Sequence, residues 1–163
     1  MFFANSPPHL HDKPIVCSKQ ANAMLCTSGV CAIASAYGFY QGHYISSFIP
    51  LSVFITSMNY WRHPTYGWRR NADVACVIFA FLSMLIVAYY GTNWLRYYIL
   101  ITLAASCYPL SHYFTNQNME YMGTLMHAYM HILGNIGLFI LFSGEIRSLF
   151  SETLPIKASM LSN

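Results

Sequence analysis

The sequence predicts an all-α fold, a polytopic transmembrane helical bundle with about five spanning helices. Hydrophobic residues make up 56% of the 163 residues and charged residues only 8%, whereas charged residues are roughly a quarter of a globular domain. Several segments also approach the ~20 apolar residues that cross roughly 30 Å of hydrocarbon. Such segments must be helices, because backbone groups in lipid need partners within their own segment, and the alternation typical of barrel strands is missing.

Four segments are clear candidates for spanning helices, namely residues 44–61, 72–90, 94–114 and 122–142. A fifth segment, residues 21–41, is rich in small residues that permit close helix contact, and it either spans the membrane or lies on its surface. Tyr and Trp crowd the segment ends, as expected of an interfacial belt. We interpret residues 1–163 as a single integral membrane domain with polar tails at residues 1–20 and 143–163.

Charge and cysteine usage exclude several classes of function. Eight Lys and Arg oppose five Asp and Glu, and the basic residues do not form the dense clusters of a nucleic-acid-binding protein. The cysteines are odd in number and form no CxxC motif, which favours buried free thiols over disulfides or a thiolate zinc site. We expect membrane lipids and other membrane-protein subunits as partners, and no nucleic acid.

The amino-terminal segment carries no signal for a particular membrane. Residues 1–20 lack the pattern of a secretory signal and the Arg-rich helix of organellar import. Internal targeting information remains compatible with this sequence, so an organellar inner membrane is one candidate.

Counting the membrane crossings predicts that several ionisable residues meet at one membrane surface. The end of the second segment, the start of the third and the start of the fifth emerge on the same face. That face should carry His63, Asp73, Glu120, His127 and His131.

His127 and His131 form an HxxxH pair within an apolar helix. Residues four apart share a helix face, so both imidazoles can reach one metal ion, with His63 or Asp73 as a further ligand. Two alternatives remain open. Each His can stabilise packing through a bond to a neighbouring helix, or one of them can ligate a haem together with His112.

A succession of short motifs resembles a known family. Ser57 and Tyr60 form S-x-x-Y, Arg69 and Arg70 follow, Asp73 comes next, and HxxxH opens the last apolar segment. This order is similar to that of the membrane hydrolase superfamily that contains hemolysin III, the adiponectin receptors and the alkaline ceramidases. In that family a Ser, an Asp and three His surround a zinc ion that hydrolyses lipid amides.

The resemblance implies a role for each matching residue. His127, His131 and one further His would hold zinc, Asp73 would be the general base, and Ser57 would stabilise the oxyanion. The family's first zinc His corresponds to Trp61, so His63, two residues further and rotated by about 200° on a helix, would have to replace it. Without zinc, we expect Asp73 to pair with Arg69 or Arg70, and Ser57 to bond its own helix backbone.

The loop between the second and third segments also has an interpretation without catalysis. Its basic and aromatic residues suit lipid headgroups at the interface; they are Arg62, Arg69, Arg70, Trp61 and Trp68. With a mass of 18.5 kDa, the chain has few residues outside the membrane that could hold its polar tails in an ordered conformation. We therefore expect a structural, accessory subunit of a larger membrane assembly. The alternatives are a zinc-dependent lipid amidase and a haem-binding electron-transfer subunit.

Overall fold

The computed structural model describes residues 15–147, which form five α-helices and no β-strand. The helices are α1 (Ser18–Tyr40), α2 (Tyr44–Trp61), α3 (Trp68–Tyr89), α4 (Trp94–Asn116) and α5 (Glu120–Phe142). The prediction of an all-α fold is confirmed. The polar tails predicted at residues 1–20 and 143–163 lie mostly outside the described residues.

Three of these helices, α1, α3 and α5, are long and apolar enough to cross a membrane, judged by length and composition. They are compatible with an integral membrane protein. The weaker sequence candidate, α1, belongs to this set, whereas α2 and α4, which looked clearer, do not. The physical reason is the polar content of α2 and α4, which carry Ser, Thr, Asn and Tyr along much of their length.

The helices surround a central space. Neighbouring helices pack in the order α3, α2, α1, α5 and α4, and α4 then returns to α3 through the smallest contact of the ring. Helices α3 and α4 are joined by a short turn, and their side chains contact each other beside that turn. Tyr97 packs with Met84 and Ala88, and the Tyr98 hydroxyl donates to the Leu85 carbonyl at 2.8 Å.

One end of the bundle, here named the closed end, is sealed by the segment that follows α5. The backbone N–H of Thr92 donates to the Glu145 carbonyl at 2.9 Å, and that of Arg147 donates to the Tyr90 carbonyl at 3.1 Å. Beneath this pairing, Leu141 and Phe142 are almost fully buried. The α3–α4 turn is therefore held against the end of α5.

The opposite end, here named the open end, gathers the start of α1, the α2–α3 loop and the start of α5. The backbone N–H of Ile15 donates to the Pro64 carbonyl at 2.7 Å, and the Gln20 side-chain amide donates to the Glu120 carbonyl at 3.3 Å. The structure thus places these segments on one face, as the crossing count predicts.

Helix α3 begins earlier than expected. The predicted start was residue 72, but α3 starts at Trp68, directly after Gly67 with φ of 145°. This backbone conformation is accessible to glycine and strained for other residues. Arg69 and Arg70 consequently lie in the first turn of α3 and not in a loop, and Asp73 lies in the second turn.

The five cysteines are free, as predicted, but they are not all buried. Cys31 is buried, Cys76 and Cys107 are half-buried, and Cys17 and Cys26 are exposed. The expectation of buried thiols is wrong for Cys17, which precedes the first turn of α1, and for Cys26, which lies on a side of α1 that its neighbours leave uncovered.

Candidate functional site

The central space is a cavity of about 1370 Å³ that opens at the open end of the bundle. All five helices contribute to its wall. Its deeper part is lined largely by apolar residues, including Met84, Tyr97 and Leu138, and most of its polar side chains lie nearer the mouth.

Ser57 and Asp73 form a buried pair between α2 and α3. The Ser57 hydroxyl donates to Asp73 Oδ1 at 2.6 Å, and the Thr56 hydroxyl donates to the same oxygen at 3.0 Å. The expectations that Ser57 bonds its own backbone and that Asp73 pairs with Arg69 or Arg70 are both wrong. Asp73 lies in the second turn of α3, level with Ser57, and its carboxylate faces α2.

His127 and His131 lie in the wall of the same cavity, on α5. Their rings are stacked with centroids 5.2 Å apart and an interplanar angle of 28°. Because they lie one helical turn apart, both imidazoles share the face that α5 presents to the cavity. The structure therefore brings Ser57, Asp73 and the two His together around one space.

Trp61 occupies the position of the family's first zinc ligand, and it lies inside the bundle. Its side chain is only 7% exposed, and its ring centroid is 4.7 Å from that of Tyr60 and 5.7 Å from that of His127. The prediction that Trp61 anchors at lipid headgroups is wrong, because the last turn of α2 packs inward against Met24 of α1.

His63 does not replace the missing ligand. It is exposed and lines the cavity only at its mouth, after the end of α2. Within residues 15–147, no group of three or more His, Cys, Asp or Glu is placed to hold a metal ion. Catalytic zinc usually needs three protein ligands, so the donor set of this cavity does not fit the zinc centre that the resemblance implies.

His112 of α4, the predicted haem partner of His127 or His131, lines the same cavity and is exposed. The Tyr108 ring lies between the two helices, with its centroid 4.7 Å from the His112 ring and 6.3 Å from the His127 ring. The haem alternative stays a prediction.

The basic and aromatic residues at the mouth divide into two groups. Arg62 and Trp68 are exposed, and the Arg69 guanidinium lies 5.8 Å from the Trp68 ring centroid. Their contact with lipid headgroups stays a prediction. Arg70 and Arg62 both line the cavity, but Arg70 is only partly exposed and its guanidinium lies 5.6 Å from the Tyr66 ring.

Sequence reasoning missed Asn135, which is 3% exposed in the cavity wall. Its Nδ2 donates to the His131 carbonyl at 2.7 Å and to the Cys31 sulfur at 3.4 Å, while its Oδ1 has no partner among residues 15–147. A usable signal existed, since Asn135 follows His131 by four residues and therefore shares its helix face.

The cavity also opens sideways between α3 and α4. Ile78 and Leu82 line the cavity and are nevertheless 42% and 55% exposed. Across the gap, Ala105 and His112 of α4 line the cavity and are exposed as well. The space is therefore continuous with the outer surface along the part of α3 and α4 that is far from their connecting turn.

Comparisons with known proteins identify no relative. No family model, no curated protein and no solved structure matches the chain.

Proposed function

We propose that this chain is an integral membrane protein whose central cavity binds an amphiphilic molecule taken from the bilayer. The observation that carries the proposal is the combination of an apolar interior, a polar mouth and a lateral gap between α3 and α4. Ligand pockets of proteins commonly measure about 300–1,000 Å³ and are mostly apolar with a few placed polar groups. A cavity of about 1370 Å³ suits a ligand as long as a lipid.

The proposal includes five helices at membrane depth. Helix α2 packs between α1 and α3, and α4 packs along α5, so each lies beside helices that are apolar enough to span. Polar residues of α2 are tolerated at this depth because several face protein. Ser47 and Ser57, for example, are buried and hydrogen-bonded.

A lateral gap determines how a ligand would enter. An amphiphile in the bilayer already has its tail at the depth of Ile78 and Leu82. Sliding between α3 and α4 would bring its head group to the polar mouth without passing the tail through water, which is costly for apolar surface.

A second candidate is hydrolysis of a lipid amide or ester in the same cavity. It is favoured by the convergence of Ser57, Asp73, His127 and His131 on one space. The accessory-subunit role expected from the sequence stays a prediction, because the tails on which it rests lie mostly outside residues 15–147.

Photo-crosslinking tests the binding proposal. The full chain, reconstituted in phosphatidylcholine nanodiscs, would be illuminated with a fatty-acyl probe that carries a diazirine in the middle of its chain. Crosslinks should concentrate on cavity residues such as Met84, Tyr97 and Met130, and an excess of unlabelled probe should suppress them. Labelling confined to the outer residues Phe79 and Ile86, which are 65% and 60% exposed, would contradict the proposal.

A further inference from the structure

Building on the proposed function, we propose that the amphiphile carries an anionic head group, a carboxylate or a phosphate, which Arg70 binds at the mouth of the cavity.

The position of Arg70 supports this assignment. It lies in the first turn of α3, is partly buried, and forms part of the cavity wall. Its guanidinium lies over the Tyr66 ring at 5.6 Å and is also hydrogen-bonded to the Tyr60 side chain. These two contacts orient the planar group, and its remaining N–H donors are available to an oxyanion.

Among residues 15–147, Arg70 has no counter-ion, even though two acidic residues also line the cavity. Asp73 accepts hydrogen bonds from the hydroxyls of Ser57 and Thr56. Glu120 is exposed at the start of α5, where the helix dipole favours a carboxylate. A partly desolvated guanidinium is stabilised by an anion with matching geometry, and a ligand head group can supply one.

The helix face below Arg70 is suited to the tail. Val74, Val77, Ile78 and Phe81 follow Arg70 by four, seven, eight and eleven residues, and all four line the cavity. This spacing keeps them on one face of α3, which extends about 16 Å from Arg70 at 1.5 Å per residue. An anionic head at Arg70 therefore places an acyl chain along this apolar stripe, beside the gap to α4.

Arg69 provides a matched control within the same helical turn. It carries the same charge and the same kind of aromatic contact, but it stacks on exposed Trp68 and does not line the cavity. A general attraction of the basic mouth for anions would depend on Arg69 as well as on Arg62 and Arg70, whereas a head group bound at Arg70 would not depend on Arg69.

Equilibrium binding to the full chain in nanodiscs tests the proposal with three probes that share one oleoyl chain. These are oleate, oleoyl lysophosphatidate and uncharged monooleoylglycerol. Arg70→Gln should weaken binding of at least one anionic probe about ten- to a hundredfold, as expected for loss of a charge-assisted hydrogen bond. The same change should leave monooleoylglycerol binding within about twofold, and Arg69→Gln should leave all three probes nearly unaffected.

The outcomes separate this proposal from the one on which it rests. The anionic probe that loses more affinity identifies the head group as carboxylate or phosphate. Arg70→Lys, which keeps the charge, should retain part of the affinity and guards against a folding defect in the Gln variant. If all three probes bind equally and Arg70→Gln changes none of their affinities, the anionic head group is overturned. The proposed binding cavity would still stand. Binding of none of the probes would overturn both.

Discussion

The Ser57 hydroxyl donates a 2.6 Å hydrogen bond to Asp73 Oδ1, and this bond joins α2 to α3 beside the cavity. Ser57 is 1% exposed and Asp73 is 7% exposed. The carboxylate is thus held with little solvent exposure by two hydroxyl groups, those of Ser57 and Thr56, and the pair fixes one wall of the cavity.

Removing the Ser57 hydroxyl should destabilise the bundle. Ser57→Ala leaves a buried carboxylate oxygen with the single bond from Thr56, and hydrogen bonds to charged groups contribute about 1.5–3 kcal/mol. A double-mutant cycle with Asp73→Asn should show coupling of the same order, because the two groups are in direct contact. The free energy of unfolding in mixed micelles measures both quantities. Additive effects of the two changes would show that the bond contributes nothing.

Trp61→His should create a zinc site. The Trp61 ring lies 5.7 Å from the His127 ring, so an imidazole there would join His127 and His131 and complete the three ligands typical of catalytic zinc. We expect the purified variant to retain about one zinc per chain after dialysis against a chelator, measured by elemental analysis. His131→Ala in the same background should abolish it.

The unmodified chain provides the comparison for that experiment. His63→Ala should change nothing in it, because His63 is an exposed residue at the mouth. Retention of zinc by the unmodified protein, lost on His63→Ala, would show that His63 supplies the third ligand and would favour the hydrolase.

Two buried serines should respond differently to the loss of their hydroxyl. Ser28 is fully buried and its Oγ has no partner in the described part of the chain, whereas Ser35 Oγ donates to the Ser47 carbonyl at 2.8 Å. Ser28→Ala should leave the free energy of unfolding unchanged or raise it, because an unpaired buried group is removed. Ser35→Ala should lower it by about 1 kcal/mol. An equal loss in both variants would reveal that Ser28 binds a water or a ligand.

Two glycines of α5 should also behave differently. A Cβ at Gly123 would lie 3.1 Å from the Ser111 carbonyl oxygen and 3.3 Å from the Thr115 nitrogen, both backbone atoms of α4, while a Cβ at Gly134 would meet only Ile101 at 4.0 Å. Gly123→Ala should therefore destabilise the protein by about 1–3 kcal/mol. Gly134→Ala should be neutral or stabilising by up to about 1 kcal/mol. The free energies of unfolding of the two variants measure this difference. Equal effects would place α4 and α5 farther apart than described.

Hydropathy and crossing counts predict a large part of this architecture. Helices form where apolar runs of sufficient length occur, and the number of crossings places Asp73, Glu120 and the two His at one end. Helix starts are less predictable, as α3 shows, because the conformation of Gly67 depends on how the loop packs. The position of α2 and α4 in the ring favours a membrane location. Their polar residues lower their mean hydropathy, so hydropathy alone does not identify them as spanning helices.

Rotation of each helix about its axis explains most of what the sequence could not show. An Asp beside two Arg can pair with either of them, and only the orientation of α3 directs Asp73 toward Ser57. An aromatic residue at a helix end suits the interface as well as the interior, so the burial of Trp61 had no sequence signal. Asn135 is different, since its spacing from His131 already placed it on the cavity face.

Filling the cavity tests the central claim most directly. Gly134 lines the cavity with no atom closer than 4.0 Å to an added Cβ, and Gly29 of α1 lies outside the cavity wall with nothing within 4 Å. Both residues lie inside helices, so Phe at each position adds the same side chain and differs only in whether it enters the cavity. Saturable binding of a fluorescent fatty-acyl probe to the full chain in nanodiscs should be lost or weakened at least about tenfold in Gly134→Phe and retained in Gly29→Phe. Binding that both variants preserve equally would contradict a ligand site in the central cavity.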